Sequence, residues 1–200
     1  MFEIAQVPVY TKDQLSKIGN AIVFLCNKLG DIPKTKLLKL IYLIEEQSIS
    51  TYGMPFFNVN FKIWHLGPVE PDLFAEFSDS PYLLSDYIKL KQTEKGTFIS
   101  VSTEFNDDEF SRADMNILQD VLDNFGNKTG KQLVNITHKK GSPWFLSAER
   151  FGLLELFDKR SKNISDKDVD LLTLIENDPD KLSNYKRHKE FLCYSASLNS

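Results

Sequence analysis

The chain has 200 residues, of which 42% are hydrophobic and 26% are charged, and its net charge is −4. This size and composition predict one globular domain with its own core and room for a C-terminal extension. No run of Lys or Arg is longer than a pair, as at Lys139-Lys140 and Lys186-Arg187, so the sequence argues against a nucleic-acid partner, which needs clustered positive charge.

The sequence also argues against membrane insertion and secretion. No apolar stretch approaches the roughly 20 residues that cross a bilayer. The start of the chain, Met1-Phe2-Glu3-Ile4, lacks the basic residues and apolar core of a signal peptide. We therefore expect a cytoplasmic protein without a membrane partner, with a reduced, buried thiol at Cys26 rather than a disulfide to Cys193.

The first predicted helix follows an extended lead-in at Val7-Pro8-Val9-Tyr10. Thr11 and Gln14 have the spacing of a capping box, in which each side chain accepts a hydrogen bond from the other residue's backbone amide. Apolar residues then recur every three or four positions as far as Gly30, a pattern typical of a helix with one core-facing side.

A second helix, beginning at Lys34 or Thr35, is expected to occupy the centre of the domain. Its apolar residues fall on nearly every side, so other elements should surround it. The polar run Glu45-Glu46-Gln47-Ser48 should mark where this helix emerges into solvent. The side chains expected to be almost fully buried are Leu37, Leu40, Ile41 and Ile44.

Turn residues punctuate the next segment. Tyr52-Gly53-Met54-Pro55 predicts a turn, and the apolar and aromatic run Phe61–Trp64 follows it. In the corner Leu66-Gly67-Pro68-Val69-Glu70-Pro71, Gly67 supplies backbone freedom. The two prolines suit the entry to a helix, which should end near Phe77.

A β-hairpin is predicted after this helix. Residues Ile88-Lys89-Leu90-Lys91 alternate between apolar and charged, and Glu94-Lys95-Gly96 is a turn signal. Thr97–Val101 is rich in β-branched and aromatic residues, which favour strands. The run Phe61–Trp64 is a candidate third strand for this sheet.

The rest of the chain is predicted to be helical. The acidic run Asn106-Asp107-Asp108-Glu109 suits a helix N-terminus, with that helix ending at Gly126. The fold class is therefore mainly α (α+β), a compact helical domain around a buried central helix with a small antiparallel sheet or hairpin. Further helical signals are the capping-box pair Thr129 and Gln132, pieces of Trp144–Leu156, a cap at Ser165 with Asp168, and a polar last helix near Asp180–Cys193.

Catalysis is not predicted. No nucleophile or carboxylate set accompanies His65 or His138, and the patterns of zinc sites, phosphate loops and serine hydrolases are missing, so no enzyme activity, cofactor or metal is expected. Structural roles are favoured: a hydrogen-bonded ring beside the corner for His65, and a position at a helix C-terminus for His138. Trp64 and Trp144 are interpreted as buried or half-buried anchors, with an interface role as the alternative.

Four blocks of the chain recur in one known family. They are Lys36-Leu37-Leu38-Lys39-Leu40-Ile41-Tyr42, Tyr52-Gly53-Met54-Pro55-Phe56-Phe57, the stretch from Trp64 to Phe74, and Thr137-His138 with Pro143-Trp144. Over about Lys17 to Trp144 the chain closely resembles the Panacea domain family, the SocA-like antitoxins also known as phage-associated proteins. The block around Trp64, Gly67, Pro68 and Pro71 is specific, because four such residues rarely coincide in spacing by chance.

The resemblance implies the antitoxin of a type II toxin–antitoxin system, which binds its toxin directly and performs no reaction. The partner would be a cognate protein toxin encoded by an adjacent gene, and members of the family are paired with many unrelated toxins. Two alternatives stay open: a proteolytic adaptor that delivers the toxin to a protease, and a phage accessory protein or small enzyme that uses His65 and His138. The expected units are a Panacea domain over 1–160 and a helical extension, packed on it, over 161–200.

Two surfaces are candidates for partner binding. An unpaired edge of the hairpin can add a partner strand, and the corner offers aromatic side chains. The acids at 107–109, interpreted mainly as a solvated helix start, also suit a surface that attracts a basic toxin site. The candidate partner-binding residues are Trp64, His65, Val69, Glu70, Lys89, Lys91, His138 and Trp144.

Overall fold

The structure is a computed structural model that describes the backbone of residues 10–198 and the side chains of residues 10–191. Most of the predicted lead-in, at residues 7–9, and the side chain of Cys193 lie outside the described residues. The helices are α1 (Lys12–Leu29), α2 (Lys34–Tyr52), α3 (Pro71–Glu76), α4 (Arg112–Phe125), α5 (Gly130–Thr137), α6 (Pro143–Arg150), α7 (Leu153–Asp158) and α8 (Pro179–Leu198), with a 3-10 helix at Leu171–Leu174. The strands are β1 (Ile32–Pro33), β2 (Lys62–Trp64), β3 (Gly67–Val69), β4 (Ile88–Thr93) and β5 (Gly96–Val101).

Helix α2 is the centre of the fold, as predicted. It contacts α4, α5, α8, β3 and β5, so neighbours surround it on most sides. The mainly α (α+β) fold class is confirmed, because helices dominate and the strands form small antiparallel sheets. The four residues expected to be buried, Leu37, Leu40, Ile41 and Ile44, are all 0–1% exposed.

The predicted end of the buried part of α2 is wrong. Glu45 and Ser48 are only 1% and 4% exposed, and the helix continues to Tyr52. Both side chains are enclosed because they accept or donate hydrogen bonds within the domain: the Glu45 carboxylate accepts from two backbone amides, and the Ser48 hydroxyl donates to the Met54 carbonyl. Paired polar groups can be buried where unpaired groups would be costly.

The caps identified in the sequence define the ends of several helices. Thr11 with Gln14 and Thr129 with Gln132 both form complete capping boxes. Helix α4 begins at Arg112, later than predicted, because Ser111 and Asp114 form a capping box there. The acidic run 107–109 therefore precedes the helix, in a turn, and the prediction that it starts the helix is wrong.

The three-stranded sheet has the order β1-β5-β4 and is antiparallel. The predicted hairpin is confirmed as β4 and β5, with Ile88 opposite Val101 and Thr93 opposite Gly96. The candidate third strand at Phe61–Trp64 is wrong, because Ile32 pairs with Ile99 and Pro33 with Phe98 instead. A link of two paired residues is too short to show the alternation from which strands are predicted.

Strands β2 and β3 form a separate two-stranded sheet, with Ile63 opposite Pro68 and Trp64 opposite Gly67. Pro68 therefore lies in a strand, and only Pro71 occupies the first turn of a helix, α3. The prediction that both prolines lead into a helix is wrong for Pro68.

The C-terminal segment runs beside β2. The Ile63 amide donates to the Lys167 carbonyl at 2.9 Å, and the Val169 amide donates to the Phe61 carbonyl at 2.7 Å. This extended pairing prevents a helix from starting at Ser165, so the predicted cap is wrong, and Asp170 caps the short 3-10 helix instead. Within residues 10–198, no helix combines the length and apolarity needed to cross a bilayer.

Candidate functional site

The most specific sequence block folds into the β2–β3 corner, which comprises Trp64–Glu70. Gly67 has φ +95°, a backbone conformation that side chains rarely adopt. The two residues between the strands, His65 and Leu66, form the turn. The His65 amide donates to the Asn163 carbonyl at 2.8 Å, so the C-terminal chain segment that contains Asn163 is hydrogen-bonded to the turn of the corner.

Helix α2 supports the corner from inside through Lys39. Its amine donates to the Pro68 carbonyl at 2.7 Å, and the residue is only 1% exposed. Burial lowers the pKa of Lys39 from its usual value of 10.5 to about 7, because a charged amine loses hydration there. Lys39 belongs to the first family-like block and Pro68 to the third, so this buried hydrogen bond connects the two blocks. The amine that makes it is readily neutral at physiological pH.

The Lys39 pKa predicts a pH dependence of stability. The unfolded chain keeps the Lys39 proton to about pH 10.5, whereas the folded protein releases it near pH 7. Because the unfolded state then binds more protons, the contribution of Lys39 to stability rises as pH increases above 7. Between pH 7 and pH 9 we expect the free energy of unfolding to rise by about 2 kcal/mol in wild type relative to Lys39→Met. Urea unfolding of both proteins measures this difference, and parallel pH profiles would contradict it.

Helices α5 and α6 complete the back of the corner. The Trp144 indole donates to the Trp64 carbonyl at 3.1 Å, and Trp144 is 3% exposed. The His138 ring stacks on Trp144 with ring centroids 3.7 Å apart and planes 3° apart. The predicted helix-end position of His138 is confirmed, because it caps α5, and Trp144 is the predicted buried anchor.

His138 has an unusual electrostatic environment. Its Nε2 is buried and has no hydrogen-bond partner among the described residues. Burial, followed by the positive charges of Lys39 and His65, lowers the pKa of His138 to about 4. Lys39, His65 and His138 thus form one group of neighbouring basic side chains.

Val69 and Glu70 lie under the surface, at 4% and 6% exposure. The Glu70 carboxylate caps α3 by accepting from the Leu73 amide at 2.6 Å. Burial raises the Glu70 pKa, and the bonds from Leu73 and from Tyr10 partly offset that rise. Like Trp144, these two residues are buried and expose little surface to a partner.

A cavity of about 310 Å³ opens beside the corner, and we call it the corner cavity. Lys34 also reaches it, with its amine 3.4 Å from the centroid of the Phe74 ring and a hydrogen bond to Ser78. Leu66 and Ile164, each 58% exposed, are apolar side chains at its lining that water still reaches. Its lining includes Lys34, Lys39, Trp64, His65, Leu66, Val69, Phe74 and Ile164.

The candidate residues thus divide between two places. Trp64, His65 and Val69 line the corner cavity, while Glu70, His138 and Trp144 lie next to it. Lys89 and Lys91 are exposed on β4, which contributes nothing to the lining of the cavity. The ring of His65 packs edge-on against Phe157, with centroids 5.8 Å apart, and the hydrogen bond described for this residue is that of its backbone amide to Asn163.

Sequence reasoning missed Lys39 and Glu45 as candidate residues. Each is a charged residue on a helix with apolar side chains all around, which is the one available signal that a charge is buried and paired. Glu45 accepts from the amides of Phe56 and Phe57 at 3.1 and 2.7 Å, and burial raises its pKa to about 7. No group of three or more His, Cys, Asp or Glu side chains among the described residues is placed to hold a metal ion.

The chain therefore belongs to the class of mainly helical α+β proteins. Its distinctive surface feature is a cavity beside the β2–β3 corner that is lined by apolar and basic side chains. The model of the family described as "Antitoxin SocA-like, Panacea domain" matches residues 37–145. The chain belongs to this SocA-like Panacea family. It is 30% identical over 145 residues to Antitoxin SocA of Caulobacter vibrioides (strain NA1000 / CB15N), covering 69% of this chain and 74% of that protein. No solved structure matches the chain.

Membership in this family supports an antitoxin role and, in general terms, a toxin as partner. The match begins just before Lys39 and ends just after Trp144, so it contains the corner and the residues behind it. Lys34 and Thr35, just before the matched range, and Asn163 and Ile164, after it, also line the cavity. The corner cavity therefore combines the family region with a segment beyond it.

Proposed function

We propose that this protein is the antitoxin of a type II toxin–antitoxin system, binds its toxin directly through the surface around the corner cavity, and performs no reaction itself. Membership in the SocA-like family is the observation that carries the proposal. The toxin is encoded by an adjacent gene, because the two proteins must be made together for one to neutralise the other.

The surface around the corner cavity suits a protein partner. Leu66 and Ile164 expose apolar side chains beside a concave site whose walls include the half-buried Trp64 and Phe74. Exposed apolar side chains grouped around a concave site are typical of protein interfaces, and aromatic residues are enriched among those that dominate binding energy. The buried contacts of Lys39 and Trp144 hold this surface in shape before the partner arrives.

The edge of the hairpin is the second candidate surface. Strand β4 pairs with β5 on one side, and no strand among the described residues pairs with its other side. Such an edge can accept a strand of the toxin. Lys89 and Lys91 are exposed there, and Lys91 lies 3.5 Å from Asp31. Lysines on an edge also discourage unwanted pairing, so this observation is weaker support than the cavity.

Co-expression tests the proposal. The product of the neighbouring gene, expressed alone, should stop growth, and the wild-type chain should restore it. The double variant Leu66→Asp/Ile164→Asp should abolish rescue, since it places two carboxylates on the apolar surface at the cavity while both side chains are exposed enough to leave the fold intact. The complex should bury at least about 1,200 Å² and survive gel filtration.

Two controls make the result specific. Tyr82→Asp changes an apolar side chain that is 83% exposed and does not line the cavity, so it should rescue like wild type. Lys89→Glu tests the edge of the hairpin in the same assay. Loss of rescue with Lys89→Glu alone would show that the interface lies at β4 and not at the corner cavity. A neighbouring gene product that is not toxic would remove support for the antitoxin proposal.

The proteolytic adaptor is separated from direct neutralisation by toxin abundance. Under direct neutralisation, the toxin persists in the rescued cells as a complex with this chain. Under adaptor action, toxin levels fall in those cells and recover when the responsible protease is deleted. Immunoblotting of the tagged toxin in the rescued strain therefore decides between the two.

A further inference from the structure

The charged side chains that line the corner cavity are all basic. Lys34, Lys39 and His65 line it, and none of the other residues that line it is acidic. His138 lies near enough that the charges of Lys39 and His65 both lower its pKa. Positive groups placed together in a partly dehydrated site repel one another, and a bound anion relieves that repulsion.

Hydrogen-bonding capacity is also left over at this site. Below about pH 7, where Lys39 is mainly protonated, its ammonium has three donors, and the hydrogen bond described for it uses one of them, to the Pro68 carbonyl. The buried Nε2 of His138 has no partner among the described residues. Buried polar atoms are normally satisfied, so unused capacity beside a cavity points to a ligand that supplies the missing partner.

The walls of the same cavity are mostly apolar. Trp64, Leu66, Phe74 and Ile164 contribute aromatic and aliphatic surface. The volume of about 310 Å³ is at the lower end of the range for small-ligand sites, near 300–1,000 Å³, and suits one or two amino-acid side chains. A suitable occupant therefore carries an apolar group and an anionic group close together.

We propose that the corner cavity binds a carboxylate and an adjoining apolar side chain, both supplied by the toxin polypeptide. This inference rests on the proposed function and specifies which chemistry of the toxin is recognised. A carboxylate on the toxin gains charge-assisted hydrogen bonds, which are stronger than those between neutral groups. A nucleic-acid backbone is a poorer occupant, because the cavity walls are apolar and the chain carries a net charge of −4.

Two small probes test the cavity without the toxin. N-acetyl-leucine and N-acetyl-leucine amide share an apolar body and differ in the carboxylate. In NMR titrations of the full chain, the acid should bind at least about tenfold more tightly, a difference of about 1.4 kcal/mol, with shifts at the Trp64 indole and the Leu66 methyl groups. Equal affinity of the two probes, or equal competition by inorganic phosphate, would overturn the proposal.

Variants locate the charge that is responsible. Lys39→Met keeps the apolar stem and removes the amine, so the preference for the acid should disappear while binding of the amide persists. Because Lys39 is buried, His65→Gln, a change at a half-buried position, provides a second measurement if the first variant does not fold. Lys62→Met is the matched control: its amine pairs with Asp168 at 2.8 Å and does not line the cavity, so the preference should remain. An equal loss in Lys62→Met would contradict the assignment.

A displacement experiment with the toxin completes the test. Purified toxin should displace N-acetyl-leucine from the cavity, and a toxin that binds without displacing it overturns the inference while leaving the antitoxin proposal in place. A chain that prefers the acid probe but neutralises no neighbouring product overturns the proposed function instead, so the two failures are distinguishable.

Discussion

Gly67→Ala is expected to lower the free energy of unfolding by about 2–6 kcal/mol, because the added methyl group meets both backbone strain and a steric clash. The strain arises because φ at Gly67 is +95°. The clash arises because a Cβ at this position would lie 2.9 Å from the Thr137 hydroxyl and 3.0 Å from Cε of Lys39. Lys39 cannot move aside easily, since its amine is held by the Pro68 carbonyl. Urea unfolding measures the loss.

Gly141→Ala separates the two causes. Gly141 has φ +86°, close to that of Gly67, but a Cβ there would meet nothing within 4 Å. This variant should show only the strain, about 1–3 kcal/mol. Equal losses in the two variants would mean that the close packing of the corner against α2 and α5 contributes nothing.

Glu45→Ala is expected to lower the free energy of unfolding by about 2–6 kcal/mol, because it leaves two buried backbone amides without an acceptor and each costs about 1–3 kcal/mol. Those amides belong to Phe56 and Phe57, which are 3% and 1% exposed. Water therefore does not replace the lost carboxylate readily. Chemical denaturation monitored by tryptophan fluorescence measures the difference.

Glu45→Gln is the matched control. Its side-chain carbonyl can accept the same hydrogen bonds, so the loss should be less than half of that in Glu45→Ala. Both variants also remove the carboxyl whose pKa burial raises to about 7. If the two variants lose the same amount, the stabilisation comes from some property of the carboxyl other than its acceptor oxygens.

The family-like blocks are joined to one another by buried polar contacts. Lys39 in the first block donates to Pro68 in the third, and Trp144 in the last donates to the carbonyl of Trp64. Glu45, just beyond the first block, accepts from the Phe56 and Phe57 amides of the second. Each of these three side chains therefore has a structural role, because each satisfies a backbone group that the fold buries. The exposed side chains that we propose to meet a partner, Leu66 and Ile164, make none of these contacts; Lys39 alone belongs to the buried contacts and to the proposed carboxylate site.

The candidate site illustrates this distinction. The sequence pointed to the corner, and the structure places Trp64 and His65 at a cavity there. It also places Val69, Glu70 and Trp144 under the surface. Leu66 and Ile164, which expose the apolar surface at this cavity, were not among the candidates. Motif residues can be identified in a sequence by their spacing. An exposed Leu or Ile can be identified as part of a binding site only when its neighbours in the structure are known.

Local signals in the sequence determined the helices and the hairpin. Capping boxes at Thr11 and Thr129 begin helices, Gly30 ends one, and the alternation after Ile88 defines β4, since each of these features acts over a few neighbouring residues. The apolar periphery of α2 likewise determined its central place, because a helix that is apolar on nearly all sides is stable only when surrounded.

Contacts between segments that are distant in sequence follow from the tertiary structure alone. The pairing of Ile32 with Ile99 and the burial of Lys39 and Glu45 against backbone groups depend on residues far along the chain. The same holds for the approach of Ile164 to the corner cavity. The periodicity of a sequence gives no information about the distance between such segments. In addition, the free energy of burying a charge depends on the partner that the fold brings to it.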